Sequence, residues 1–509
     1  TLRLLTSQQF QRSSSMICAC EIIRRENHEI LGEEQISIGM WVGQSLTPIW
    51  RTEALTAANK FAGSSEELDS PFQLLNCPWC GTALDDKKNP GYMVYKFRGK
   101  PKTVVFVCTE QRCSFSNIGK ERNQSQHIPV LVIDEDIYDW PPTLIIGTVD
   151  KFAMLTWRER AGRIFGVGLE NDCDPPDMVI QDELHLISGP LGSVVGLFES
   201  AIDILCSTKD RKPKIIASTA TIRRASNQCE ALYERPTFQF PPQGLDISDS
   251  FFAKEDPQAP GRIYTGVFAP AAPSFITAEV RTASSLLQSC KSIPLPPGVP
   301  EKTRDPYWTL VEYFNSLREL GHAATLVQQD IPEYIWTLAQ RDNLPNEVVR
   351  SFLSEEEMTS RRKAEEIPVI LNRLENLYPN SSDDFRKNPL DILLATNMIS
   401  VGLDVDRLGL ILMIGQPKTT SEYIQASSRV GRSRSAPGLV VTMYNPGRPR
   451  DRSHYEHFRS YHESFYKFVE PTSVTPYSLA VLDRALHSVL VILVRHYACL
   501  KSPDTIVSK

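Results

Sequence analysis

No run in the 509 residues approaches eighteen consecutive apolar positions, so no membrane-spanning helix is expected. The chain opens on Thr1-Leu2-Arg3-Leu4-Leu5-Thr6 rather than on Met, without the layout of a secretory leader. That opening reads as a buried strand entered partway, hence as the start of a fragment. Positive charge is not in excess: 55 Lys and Arg against 61 Asp and Glu leave a net charge of −6. This excludes a protein that holds nucleic acid by bulk attraction, but not one that grips it with a few loops and backbone amides. The 11 Cys are mostly isolated, which argues against a disulfide framework and for a reducing cytoplasm. Internal repeats and long low-complexity tracts are also missing.

What is present is an ordinary globular composition, 41% hydrophobic and 23% charged, in a chain long enough for two or three domains. Short β-rich apolar runs alternate with helical patterns, the signature of parallel sheets in an α/β fold. The strand candidates are 2–5, 130–133, 143–146, 178–180 and 214–217 in the first half. In the second half they are 263–268, 323–327, 391–395, 408–414 and 439–444. Residues 64–125 carry paired Cys and few strand signals and read as an insert, 291–306 as a Pro-rich loop, and the chain beyond Pro446 as helical.

The strongest local signal is Met178-Val179-Ile180-Gln181-Asp182-Glu183-Leu184-His185, a buried strand ending in two adjacent carboxylates. Open α/β sheets bind ligands at that end of a strand. Phosphoanhydride hydrolysis needs one carboxylate for Mg²⁺, here Asp182, and one to orient or deprotonate the attacking water, here Glu183. A rival run, Val132-Ile133-Asp134-Glu135-Asp136, leads into what reads as a turn and stands much further from the next motif, so Asp182 is preferred. That next motif is Ser218-Thr219-Ala220-Thr221 after a strand, small hydroxyl residues able to relay short hydrogen bonds. Further on come Ala395-Thr396-Asn397 with Gly402-Leu403-Asp404, then Gln425-Ala426-Ser427-Ser428-Arg429-Val430-Gly431-Arg432. The two Arg offer planar, permanently charged donors suited to a γ-phosphate.

In this order and spacing these runs resemble motifs II, III, V and VI of the superfamily 2 helicases. Three further segments narrow the likeness to the helicase of DISARM anti-phage defence systems. They are Gln181 to Pro190, Asp305 to Val311 and Glu470 to Pro476. The resemblance implies two RecA-like domains with parallel sheets, the first over 1–240 with the insert inside it, the second over 241–445, and a helical segment over 446–509. It also implies ATP with Mg²⁺ in the cleft between the domains and nucleic acid, expected to be DNA, running across both. Asp182, Glu183, His185, Arg429 and Arg432 would then be catalytic, with Gly402, Asp404 and Gln425 beside the nucleotide. Thr148, Asp150 and Lys151 resemble a first-domain motif that touches the nucleic-acid backbone, Leu4 to Gln9 including Thr6 resembles motif Ia, and Thr396 falls toward the phosphates. Ser428 departs from the usual Gly of motif VI. No Gly-x-x-x-x-Gly-Lys-Ser/Thr phosphate loop occurs, and family order would put one just before Thr1. The chain by itself is therefore expected not to hydrolyse ATP.

Cys77-Pro78-Trp79-Cys80-Gly81, with Cys108 and Cys113 further on, reads as two thiolate pairs for one tetrahedral structural Zn²⁺. The other Cys sit among apolar neighbours and read as core, with Cys18 and Cys20 on a helix. From Arg448 to Phe468 basic and aromatic residues interleave. Tyr455, Phe458, His462 and Phe465 follow helical spacing, so a core stripe with a basic outer face is preferred to a strand-stacking surface. The reading is an ATP-dependent DNA translocase in anti-phage defence, with a second DISARM subunit bearing a C-terminal four-Cys domain as a candidate partner and no membrane. Its rivals are a DNA-repair helicase with its own four-Cys domain, and a non-hydrolysing scaffold that binds nucleic acid or a partner.

Overall fold

The computed structural model describes the chain apart from residues 1, 45, 64–71, 73, 87, 97–100, 117–125, 170–172, 220–224, 243, 247, 260, 351–352, 363–365, 380–387, 401–402, 435, 471–473 and 499–509. It divides into two compact units. The first is built from Leu2–Thr219, Asn227–Arg235 and Thr472–Lys509, the second chiefly from Pro236–Pro471. The segment beyond residue 446 is thus not one helical appendage, because its first part belongs to the second unit and its remainder to the first.

The first unit opens with α1 (Leu2–Glu26), not the expected strand over 2–5. Leu, Arg, Gln, Met and Glu favour a helix, and the run Leu4-Leu5 is too short to tell helix from strand by periodicity. A three-stranded parallel sheet follows with β1 (Ile38–Trp41) at its centre. The strands β4 (Val130–Leu131) and β5 (Leu144–Gly147) flank it. The helix α2 (Arg51–Gly63) comes next and packs on an antiparallel hairpin inside the insert, formed by β2 (Tyr92–Lys96) and β3 (Lys102–Phe106). The rival carboxylates begin a helix, α3 (Asp134–Asp139), rather than a turn. Two further parallel strands, β6 (Met178–Gln181) and β7 (Lys214–Ala217), pair in register from Met178↔Lys214 to Gln181↔Ala217.

Between β6 and β7 runs α4 (Gly189–Cys206). By length and composition alone it is apolar enough to cross a membrane, although it holds no run of eighteen consecutive apolar residues. Its apolar face is used internally instead. Leu197, Ala201, Leu205 and Cys206 pack into one core cluster with Val481, Ala485, Val489 and Ile492 of the late helix Leu479–Ile492. Glu199 and Asp203 add two charges on the same helix.

The second unit is a six-stranded parallel sheet in the order β10-β11-β9-β12-β13-β8. The strands are β8 (Arg262–Phe268), β9 (Leu310–Phe314), β10 (Glu355–Met358), β11 (Ile392–Ala395), β12 (Leu410–Ile414) and β13 (Gly438–Tyr444). Every residue of β9, β11 and β12 is buried, as expected for parallel strands covered on both faces. Helices α5 (Phe275–Ser292), α6 (Leu317–Gln328) and α7 (Asp330–Arg341) contribute to the main core with Leu310, Phe314, Leu394 and Leu412. Each such fully buried side chain stabilises by roughly 1.5–3 kcal/mol relative to exposure. Residues 323–327, expected as a strand, lie within α6. Its start is fixed by Ser316, whose hydroxyl accepts the Glu319 N–H at 3.3 Å. The helix α8 (Thr420–Ser427) is capped likewise by Thr419, and it carries Gln425.

Candidate functional site

In the first unit the sheet places motif II and motif III side by side. Beyond the last ladder pair, Ser218 N–H donates to Gln181 O at 2.8 Å and Leu184 N–H to Ser218 O at 3.0 Å, so the two strand ends stay tied. Glu183 adopts a left-handed backbone, φ 53°, which turns the chain sharply out of β6. A non-glycine residue held there is a form of local strain that concentrates at functional sites. Asp182 Oδ1 accepts the Glu183 N–H at 2.9 Å, and Oδ2 accepts the amide of Gln9 on α1. Glu183 Oε2 lies 3.3 Å from His185 Nδ1, and Thr219 Oγ1 lies 3.5 Å from the same nitrogen. Asp182, Glu183, His185 and Thr219 are therefore one cluster at the ends of two adjacent parallel strands.

Behind the cluster, Gln181 donates to Glu199 at 2.7 Å and accepts from the Tyr233 hydroxyl. Burial pushes the Glu199 carboxyl up, with the Gln181 hydrogen bond pulling the other way. Neither Gln9 nor this support was legible beforehand, since both depend on helices crossing the strand ends.

In the second unit, motifs V and VI meet. Arg432 pairs with Asp404, and its Nε donates to Ser428 O at 3.3 Å. Arg429 donates to Leu403 O at 3.2 Å and to Ser400 O. Gly431, φ 66°, lets the chain pass Gly438, where a Cβ would meet the Gly438 Cα at 2.5 Å. Gln425 is buried on α8. Ser428 closes α8 in ordinary helical geometry, φ −75° and ψ −4°, so its replacement of Gly is accommodated. Gly402 lies outside the described residues.

The expected nucleic-acid contacts fare unevenly. Thr6 lies on α1 rather than in a strand-to-loop motif, and its side chain is outside the described residues. Thr148, Lys151 and Thr396 are buried, and Lys151 Nζ sits 2.6 Å from Asp134 Oδ2 beneath Trp41. Lys151 is thus committed to an internal ion pair, which also explains the rival carboxylates. Asp134 serves Lys151 and Asp136 serves Arg51 at 2.6 Å, so this run is structural. Only Asp150 of that motif is exposed. In the basic and aromatic stretch, Phe458 and His462 are half-buried, with His462 Nε2 2.8 Å from Tyr423 Oη, whereas Tyr455 is exposed and the side chain of Phe465 lies outside the described residues.

The insert brings its four Cys together, with all four sulfurs within 4.8 Å of one another. Cys77 and Cys80 share a knuckle closed by Gly81 N–H to Cys77 O at 2.9 Å, where Gly81 has φ 79°. Cys108 and Cys113 share a second turn, with Cys108 N–H to Phe115 O at 3.0 Å. The Sγ separations are 3.9 Å for Cys77–Cys113 and 3.4 Å for Cys80–Cys108. A tetrahedral zinc with ~2.3 Å bonds needs edges of about 3.8 Å, so the donor set fits. Burial pushes the Cys113 thiol up to about 12, while at Cys80 burial is outweighed by Thr82 and neighbouring thiols, bringing it down to about 7. The knuckle leans on α1, with Ser15 Oγ donating to Pro78 O at 2.8 Å and Arg25 over the Phe115 ring at 5.1 Å.

The helicase conserved C-terminal domain family matches residues 379–434. The chain is 41% identical to the DISARM protein DrmA of Bacillus paralicheniformis over 97% of its own length. It spans about half the length of that relative, 46%. A shorter match joins 13% of the chain to 17% of the DEAD-box ATP-dependent RNA helicase CshC of Bacillus cereus, at 38% identity. Among solved structures, the DUF1998 helicase MrfA bound to DNA aligns with 70% of this chain and 40% of its own, at 17% identity and a TM-score of 0.47.

Proposed function

We propose that the chain, which is similar to the DISARM protein DrmA and matches the helicase C-terminal domain family over residues 379–434, is a superfamily 2 helicase that forms most of the motor of an ATP-dependent translocase acting on DNA in defence against phage. The observation that carries this reading is the Asp182, Glu183, His185 and Thr219 cluster. A scaffold that merely bound a strand would have no use for a strained carboxylate tied through a histidine to the neighbouring strand end.

Mg²⁺ entering with the nucleotide supplies charge neutralisation on the phosphate oxygens. Asp182 is the residue to hold it, because both of its oxygens are oriented by N–H donors and each keeps a lone pair for a ligand. Glu183 orients the attacking water and takes its proton. His185 joins Glu183 to Thr219, giving the nucleotide site a short link to motif III. Arg429 and Arg432 supply fixed positive charge for the γ-phosphate, and their ties to the 400–404 loop hold them ready. In the insert, Cys77, Cys80, Cys108 and Cys113 would hold one structural zinc, which would tie the two Cys turns together.

Replacing Glu183 with Gln in the full-length protein tests the assignment. Turnover of ATP should vanish while nucleotide and strand binding persist, because the carboxylate acts in the transition state rather than in binding. Near-normal turnover in that variant would sink the reading.

A further inference from the structure

The first unit carries a cleft of about 220 Å³ lined by Ile49, Trp50, Glu135, Tyr138, Trp157, Arg158, Glu159 and Arg160. Trp157 ends the 3₁₀ helix Val149–Thr156 and is 77% exposed, an unusual state for so large an apolar ring. Trp50 lies at the mouth of α2, its N–H and that of Ile49 both donating to Glu53 Oε2 at 3.3 and 3.1 Å. The Arg158 guanidinium sits over the Trp50 ring at 4.9 Å and makes no hydrogen bond among the described residues. Trp50 thus carries a cation on one face, and Trp157 lines the same cleft with most of its ring exposed.

The charges around the cleft are unevenly committed. Glu135 accepts the Arg51 N–H at 2.9 Å and Arg160 at 3.1 Å. Asp139 takes Arg51 at 2.6 Å, Arg163 at 2.7 Å and also Arg160. Those carboxylates are neutralised within the unit, which leaves Arg158 with donors to offer outward, beside Glu159 on the rim. The volume lies below the ~300–1,000 Å³ of sites for drug-sized ligands and suits one planar ring system. Thr148 and Lys151, on the segment that leads to Trp157, are buried and Asp150 is exposed, so next to the cleft the outward groups of this segment are the tryptophan and the arginine after it, with Asp150 at its start.

We propose that this cleft takes an unpaired base of single-stranded nucleic acid, stacked on Trp157 and Trp50, with Arg158 on an adjoining phosphate. It rests on the reading of the chain as a nucleic-acid motor and names where the strand is held. Every base has a π face, so such a contact grips without reading sequence, as a translocating motor requires.

The test is equilibrium binding of a fluorescent oligothymidylate to the full-length protein without ATP, over a series of salt concentrations. Trp157→Ala should weaken binding roughly 5- to 150-fold with the salt dependence unchanged, and Trp157→Phe should keep most of the affinity. Arg158→Ala should lower the slope of log affinity against log salt by about one. Wild-type affinity in Trp157→Ala overturns the proposal while leaving the motor reading intact. Loss of a co-purifying protein from that variant, with oligonucleotide binding unchanged, also overturns it in favour of a protein-docking role. No oligonucleotide binding by the wild type overturns the motor reading as well.

Discussion

Glu312 stands in the middle of β9 with 1% of its surface exposed, on the same strand face as Leu310 and Phe314 and between Leu394 of β11 and Leu412 of β12. Its Oε1 has no hydrogen-bond partner among the described residues. Burial pushes its carboxyl up to about 8, and the nearby Glu279 and Glu355 add to the effect. At pH 7 the folded unit therefore keeps this proton, whereas the unfolded chain, with an ordinary value of 4.5, releases it. Taking up that proton on folding costs about 3 kcal/mol at pH 7, from ~1.4 kcal/mol for each of the two and a half pH units above 4.5. The sign follows directly: with a folded pKa above the unfolded one, this group lowers stability progressively as pH rises from 4.5 toward 8. Below 4.5 the penalty is absent, and above 8 its slope ends.

Glu312→Met removes the titrating group and fills nearly the same volume with apolar atoms, so it should stabilise the second unit by about 3 kcal/mol at pH 7 and by less than about 1 kcal/mol at pH 5. Hydrogen exchange of β9, β11 and β12 amides, compared between variant and wild type at each pH, reads the difference directly and cancels the intrinsic pH dependence of exchange. Glu279, itself pushed up to about 7 by burial and by Glu319, is present in both proteins, and Glu312 exerts no charge on it as long as Glu312 keeps its proton. An equal stabilisation at pH 5 and pH 8 would refute the argument, because it would show that packing rather than proton uptake sets the effect.

Two further outcomes follow from the sites. Cys80→Ser should release zinc and raise hydrogen exchange through the insert and the adjoining face of α1, because a closed structural site contributes folding energy directly; purified wild-type protein without zinc by metal analysis would refute this. Gly431→Ala should destabilise the second unit by about 1–3 kcal/mol through its left-handed backbone and the Gly438 clash, read as a lowered midpoint in urea unfolding; an unchanged midpoint would count against it.

The chemistry was more legible than the architecture. The carboxylates after β6, the hydroxyl residues after β7 and the paired Cys announce themselves because each needs particular residue types at fixed spacing. The arginines of Gln425 to Arg432 do so for the same reason. Strands were harder. The run at 323–327, Ala-Ala-Thr-Leu-Val, is too short for its period to separate a buried strand from a helix, and the cap at Ser316 decided it. The strand β9 was missed because Glu312 interrupts its apolar run, and β10 because Glu355, Glu356 and Glu357 look like a solvated edge. Lys151 was misplaced for a different reason. A lysine in a run that resembles a backbone-contacting motif reads as a phosphate ligand unless its partner is visible, and Asp134 is 17 residues away in sequence.

The return of the late helix Leu479–Ile492 to the core that holds Trp41 and Ile137 bears on how the chain emerges from the ribosome. The residues of the six-stranded sheet are contiguous in synthesis, so that unit can close as soon as its own segment has been made. The earlier unit cannot, because Val481, Ala485, Val489 and Ile492 fill its interior and are translated after the whole of the later one. At the roughly 5–20 residues per second of translation, the half that is made first waits with an open apolar flank for tens of seconds and finishes last. A stop before residue 479 would leave a sheet that folds and, upstream of it, a core with one wall missing.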